Sequence, residues 1–167
     1  MTSSRLFAVT TVVVGVVALA HAILTWPVSA TVALFGGGAL VAFVAEAIVI
    51  DLGWLEHHIG PTVGGVPVYV LFGWTGVIYI AFRAALLVSD GWMAVALTGV
   101  LATTYDLLTD HHGVDDGHWT YVDSLRGPRY RGVPWWNYLG WLGISCLTAG
   151  IALPFLCLRP SVLPPTP

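Results

Sequence analysis

The chain has 167 residues, of which 57% are hydrophobic and 9% charged, with a formal net charge of -3 and no lysine; its mean hydropathy is +0.83. A soluble domain carries about 25% charged residues, so this composition excludes a water-soluble globular protein, and the scarcity of positive charge excludes a nucleic-acid-binding surface. A helix needs about 20 apolar residues to cross the hydrocarbon, which leaves room for about five spans and no sizeable soluble domain. The expected class is an all-α integral membrane protein, a single compact bundle over residues 1–167.

The first apolar run covers residues 6–26 and closes on Trp26-Pro27, an interfacial aromatic followed by a helix breaker. Arg5, the apolar stretch and Ala20-His21-Ala22 also fit a secretory signal with a small-x-small cleavage site. The second span covers 30–50, with Gly36-Gly37-Gly38 permitting close helix contact, Glu46 inside it and Asp51 at its end. A polar connector at 51–66 leads to a third span at 67–88, where Arg83 lies near enough to the end to snorkel. The fourth span covers 92–108, a second connector 109–133, and the fifth span 135–158. The tail at 159–167 is proline-rich and expected to fray. Cys146 and Cys157 share the fifth span eleven residues apart, about 16 Å along a helix and too far to bridge.

With the N-terminus inside, Arg5, Arg126, Arg129 and Arg131 are cytoplasmic, while Arg83 and Arg159 are outside. Both connectors then fall on one side and can build one site. An internal repeat points the same way. Gly65-Val66-Pro67 and Gly73-Trp74 match Gly132-Val133-Pro134 and Gly140-Trp141; upstream, Asp51-Leu52 and Glu56-His57-His58 match Asp106-Leu107 and Asp110-His111-His112. Spans two and three thus resemble spans four and five in parallel orientation, with each proline at the first turn of its helix.

Ionisable groups at membrane depth default to a functional reading. Asp106 lies one turn before Asp110, sharing a face with Thr103, and Glu46 sits about 7 Å deeper than Asp51. A carboxyl group taken out of water favours its neutral form, so such groups can act as acids in an apolar cavity. They can equally pair with Arg83, Asn137 or a tyrosine and fix helix packing. The histidine pairs lack the spacing of membrane di-iron histidine boxes; Asp110, His111, His112, Asp115, Asp116 and His118 can chelate a surface cation or form a solvated loop, and the latter is expected, with no metal. Trp26, Trp54 and Trp92 read as belt residues. Trp119, Tyr121, Trp135, Trp136 and Trp141 crowd the carboxylates, where they can line a ligand slot, although Trp135 and Trp136 fit the belt equally well.

From about Glu46 to Trp141 the chain resembles the carotenoid biosynthesis membrane-protein family that contains the carotenoid 1,2-hydratases and bisanhydrobacterioruberin hydratase. The likeness rests on Asp106-Leu107-Leu108-Thr109-Asp110, on His118-Trp119-Thr120-Tyr121, and on Gly127-Pro128-Arg129-Tyr130-Arg131-Gly132-Val133-Pro134 followed by Asn137-Tyr138 and Gly140-Trp141. Glu46 falls where that family has an intramembrane glutamate, and Gly60-Pro61 with Gly65-Val66-Pro67 where it has a Gly-Pro and Gly-Val-Pro pair. The chain departs from the pattern in having Leu55-Glu56-His57-His58 in place of a longer aromatic connector, and His111 rather than proline after Asp110.

The resemblance implies hydration of the terminal double bond of an acyclic carotenoid through a tertiary carbocation. It implies Asp106 as acid, Glu46 or Asp110 as water-orienting base, and Trp119, Tyr121, Asn137, Trp141 and Trp74 as substrate-binding residues, without a cofactor. The implied partners are the acyclic carotenoid or another polyene lipid, membrane lipid, and other enzymes of that pathway or further copies of the chain. Two other classes stay open from the residues: a non-catalytic scaffold holding a carotenoid or a partner protein, and a metal-dependent membrane enzyme.

Overall fold

A computed structural model describes residues 3–122 and 126–156. Cys157 and the tail at 159–167 lie outside the described residues. Among the described residues, five helices are long and apolar enough to cross a membrane: α1 (Ser3–Thr25), α2 (Val28–Asp51), α3 (Val68–Ala85), α4 (Gly91–Asp115) and α5 (Trp135–Leu156). The chain is a multi-pass all-α membrane bundle.

Small residues set how closely the helices approach. Gly15 of α1 faces Phe72 of α3, where an added Cβ would lie 2.6 Å from the Phe72 carbonyl oxygen, and Gly76 faces the Gly15 backbone, where a Cβ would lie 3.0 Å from Cα. The glycine run in α2 lies at a π-turn, Ala33–Gly37. A Cβ on the adjoining Gly38 would stand 2.6 Å from Thr148 of α5, so this glycine lets α5 cross. Away from the connectors, the core packs Trp26, Leu34, Tyr79 and Phe82 among alanines such as Ala22, Ala30, Ala85 and Ala149. Trp26 is therefore not a belt residue. Its indole turns inward, edge-on to Tyr79 and Phe82, from the two-residue turn of Trp26 and Pro27 that joins α1 to α2. Trp92 is 71% exposed at the start of α4.

The fourth helix outruns the expected span. It continues to Asp115 and stops at Asp116 and Gly117, the first position with a left-handed backbone (φ 69°), so Asp110, His111 and His112 are helical rather than part of a connector. Gly113 does not interrupt it. The Trp119 indole packs against that glycine and would overlap any Cβ there, so burial of the ring offsets the weak helix preference of glycine.

The connectors repeat one construction. Thr62–Val63 (β2) pairs with Val66–Pro67 (β3) around Gly64-Gly65, and Arg129–Tyr130 (β5) pairs with Val133–Pro134 (β6) around Arg131-Gly132, in the same register. Both turns carry two positive φ values, 56° and 85° in the first, 49° and 87° in the second, the signature of a type I′ hairpin. Each hairpin delivers its proline one residue ahead of a helix, and the first helical N–H donates to the earlier proline: Val68 to Pro61 and Trp135 to Pro128. Between them, Leu55–His57 (β1) pairs antiparallel with Trp119–Tyr121 (β4), tying the connectors into one cap.

The upstream half of the sequence repeat is corrected by this pairing. Glu56-His57 lies in β1, whereas Asp110-His111 lies within α4. Glu56 stands opposite Thr120 instead. Backbone register, not the shared acid-His-His order, relates the two copies.

Candidate functional site

Under the cap, the bundle holds an open-sided cavity of about 290 Å³. Its floor is α3, through Tyr69, Val70, Gly73, Trp74 and Val77; α1 contributes Phe7, Thr10, Thr11 and Val14. The polar end collects Glu46 from α2, Asp106 and Asp110 from α4, His57 and Tyr121 from the cap strands, and Asn137 from α5.

Each carboxyl has a partner. Asn137 Nδ2 donates to Asp106 Oδ2 at 2.8 Å, the Tyr121 hydroxyl donates to Asp110 Oδ2 at 3.0 Å, and Glu46 Oε2 lies 3.3 Å from His57 Nε2. The other His57 nitrogen is 3.2 Å from the Tyr69 hydroxyl. Glu46 and Asp106 are buried, at the inner face of helices whose outer faces are valine and leucine. Burial, then the neighbouring Asp110 carboxyl, pushes the Tyr121 hydroxyl well above its ordinary range, so Tyr121 remains a donor. Trp74 and Trp141, equivalent positions of the repeat, stack at 4.1 Å with 9° between their planes and wall the cavity with indole.

The eight residues singled out for substrate or catalysis, Glu46, Trp74, Asp106, Asp110, Trp119, Tyr121, Asn137 and Trp141, line this cavity together. Arg83 is not among its lining; it sits in the last turn of α3, at the end away from the cap. Trp135 is exposed, and Trp136 packs against Trp54 and Tyr121 outside the cavity.

The repeat makes the site partly symmetric. Glu46 bonds a cap residue eleven positions later, and so does Asp110. The Asp106–Asn137 pair breaks the symmetry, because the repeat places Ala42 and Val70, both buried and apolar, in the corresponding positions of the first copy.

Sequence reasoning missed His57 as a cavity residue. A signal was available: in a strand Leu55, Glu56 and His57 alternate, and the buried Leu55 would carry His57 inward with it. It also missed the α1 wall, although Phe7, Thr10, Thr11 and Val14 repeat at helical spacing, with two threonines on one stripe of an apolar helix.

The six polar residues considered for a surface cation do not assemble. His111, His112 and Asp115 bring ligand atoms within 4.8 Å of one another, but Asp115 already holds the Arg131 guanidinium at 2.8 Å. Asp110 turns into the cavity, and His118 is buried against Phe7, 4.5 Å between ring centres.

Removing one cap contact tests the polar end. Tyr121→Phe deletes the donor to Asp110, and a hydrogen bond to a charged group contributes about 1.5–3 kcal/mol. The variant should melt at lower temperature in detergent while keeping its helical circular dichroism; unchanged melting would show that Asp110 finds another donor.

The fold and site define a class: a five-helix membrane protein with an acid-lined, aromatic cavity beneath a cap built from two related connectors. The chain belongs to the carotenoid biosynthesis protein family, whose model matches residues 7–161, and its role is in carotenoid biosynthesis. No curated protein and no solved structure matches it.

Proposed function

We propose that this protein hydrates the terminal double bond of an acyclic carotenoid by acid catalysis. The observation that carries the reading is the convergence of Glu46, Asp106 and Asp110, borne by two helices, on one aromatic cavity in a chain of the carotenoid biosynthesis family. Asp106 gives its proton to the less substituted carbon of the double bond, leaving a tertiary carbocation on the neighbouring carbon. The faces of Trp74, Trp119 and Trp141 and the nearby carboxylates stabilise that cation. Water adds to it and releases a proton to Glu46 or Asp110, and proton return to Asp106 completes the cycle. Atoms balance with one water added. Asn137 orients the acid and Tyr121 orients Asp110. Arg5, Arg126, Arg129 and Arg131 favour the cap lying on the cytoplasmic side.

The test is conversion by the purified protein in vesicles, given an acyclic polyene in ¹⁸O-labelled water. The expected product gains one water with the label on the tertiary carbon. Polyene retained by the protein but chemically unchanged would overturn the hydratase reading in favour of a carotenoid-holding subunit.

A further inference from the structure

The cavity's walls continue into a slot. α1 packs along α3, and α4 packs along α3 and α5, but among the described residues no packed seam joins α1 to α4. The slot between them has the α3 residues Val70, Gly73 and Val77 as its floor, and Thr10 and Val14 of α1 and Tyr105 and Thr109 of α4 as its rims. Its rims are open: Val14 is 42% exposed and Tyr105 50%. Both lie within membrane-spanning helices. At the cap end the slot is shut, because Phe7 of α1 packs on His118 and Trp119, with ring centres 4.5 Å and 5.8 Å apart, and the β1–β4 ladder crosses above. The opening therefore faces hydrocarbon, and the acids lie at its blind end.

At about 290 Å³ the cavity is too small to take in a whole long polyene. Most of such a chain has to stay in the lipid.

We propose that the cavity is entered sideways from the bilayer, through the slot between α1 and α4, and that it takes only the terminal part of a membrane-dissolved polyene. This rests on the hydratase reading for the identity of the reacting end, but the route itself follows from the slot. Gly73 lets α1 seat closely beside this floor, since an added Cβ there would lie 2.9 Å from Thr11. Thr10, Val14 and Tyr105 are the residues that set the width of the entry.

The experiment uses the full-length chain carrying Asp106→Asn, expressed in a host making the acyclic polyene and purified in mild detergent. Pigment bound per protein is read from visible absorbance. Adding Val14→Trp, or separately Thr10→Trp, should remove most of the bound pigment while the protein still elutes as a single species. Val16→Trp, at a position 47% exposed and outside the cavity lining, should leave it bound. The same rim variants in the otherwise native chain should lose most of their conversion. Undiminished pigment and conversion in both rim variants would overturn the lateral route. Failure of the hydratase reading looks different: the native chain binds pigment, the rim variants exclude it, and no water is ever added.

Discussion

Asp106→Asn is expected to cut hydration by about 10²- to 10⁴-fold, the usual contribution of a general acid, while leaving the protein folded. The replacement is nearly isosteric and can still meet Asn137, whose Nδ2 stands 2.8 Å from the native carboxylate oxygen, but it cannot deliver a proton. In a host producing the acyclic precursor, the readout is accumulation of that precursor and disappearance of the species one water heavier. Glu46→Gln and Asp110→Asn, measured beside it, distinguish the two candidates for taking up the proton of the attacking water. Asp110 is tied to the Tyr121 hydroxyl and Glu46 to His57. The carboxylate whose loss approaches that of Asp106 is the base. Undiminished product from Asp106→Asn would remove Asp106 from the acid role.

Gly15→Val is expected to do the largest structural damage of any single change on α1. The first added atom would stand 2.6 Å from the Phe72 carbonyl oxygen and 2.8 Å from Phe72 Cβ, and backbone cannot rotate aside as a flexible side-chain tip can. Overpacking of this kind costs about 1–3 kcal/mol, here by levering α1 from α3. Because Phe7, Thr10, Thr11 and Val14 form one wall of the cavity, conversion should fall together with the melting temperature in detergent. The comparison is Val16→Ala on the lipid-exposed side of α1, which removes methyl groups that make no cavity contact and should change neither. Native melting and native conversion in Gly15→Val would mean that α1 does not need its close seat on α3.

The membrane class and the acid-lined site were legible because hydrocarbon punishes polar groups so heavily that their positions stand out. Glu46 and Asp106 each interrupt an apolar run, and a buried carboxyl in that setting must face the interior of the bundle. The two Gly-Val-Pro elements were equally readable as a repeat, but their closure into hairpins with consecutive positive φ values was seen only in the structure. His57 was harder. The alternation that turns it inward with Leu55 applies only once Leu55–His57 is a strand, and the partner of that strand is remote in sequence. The upstream repeat failed for the same reason, since Asp110-His111-His112 matched Glu56-His57-His58 in order but continued as helix.

What the sequence by itself determined was the number of spans, the parallel likeness of spans two and three to spans four and five, and the acids that interrupt apolar runs, because hydropathy and local motifs act along the chain. Only the tertiary structure decided that α1 supplies a cavity wall, that Trp26 turns inward, that Trp74 stacks on Trp141, and that the site opens between α1 and α4. Those outcomes depend on how closely helices remote in sequence can approach, which is set by glycine and alanine contacts between them and not by the hydrophobicity of either helix alone.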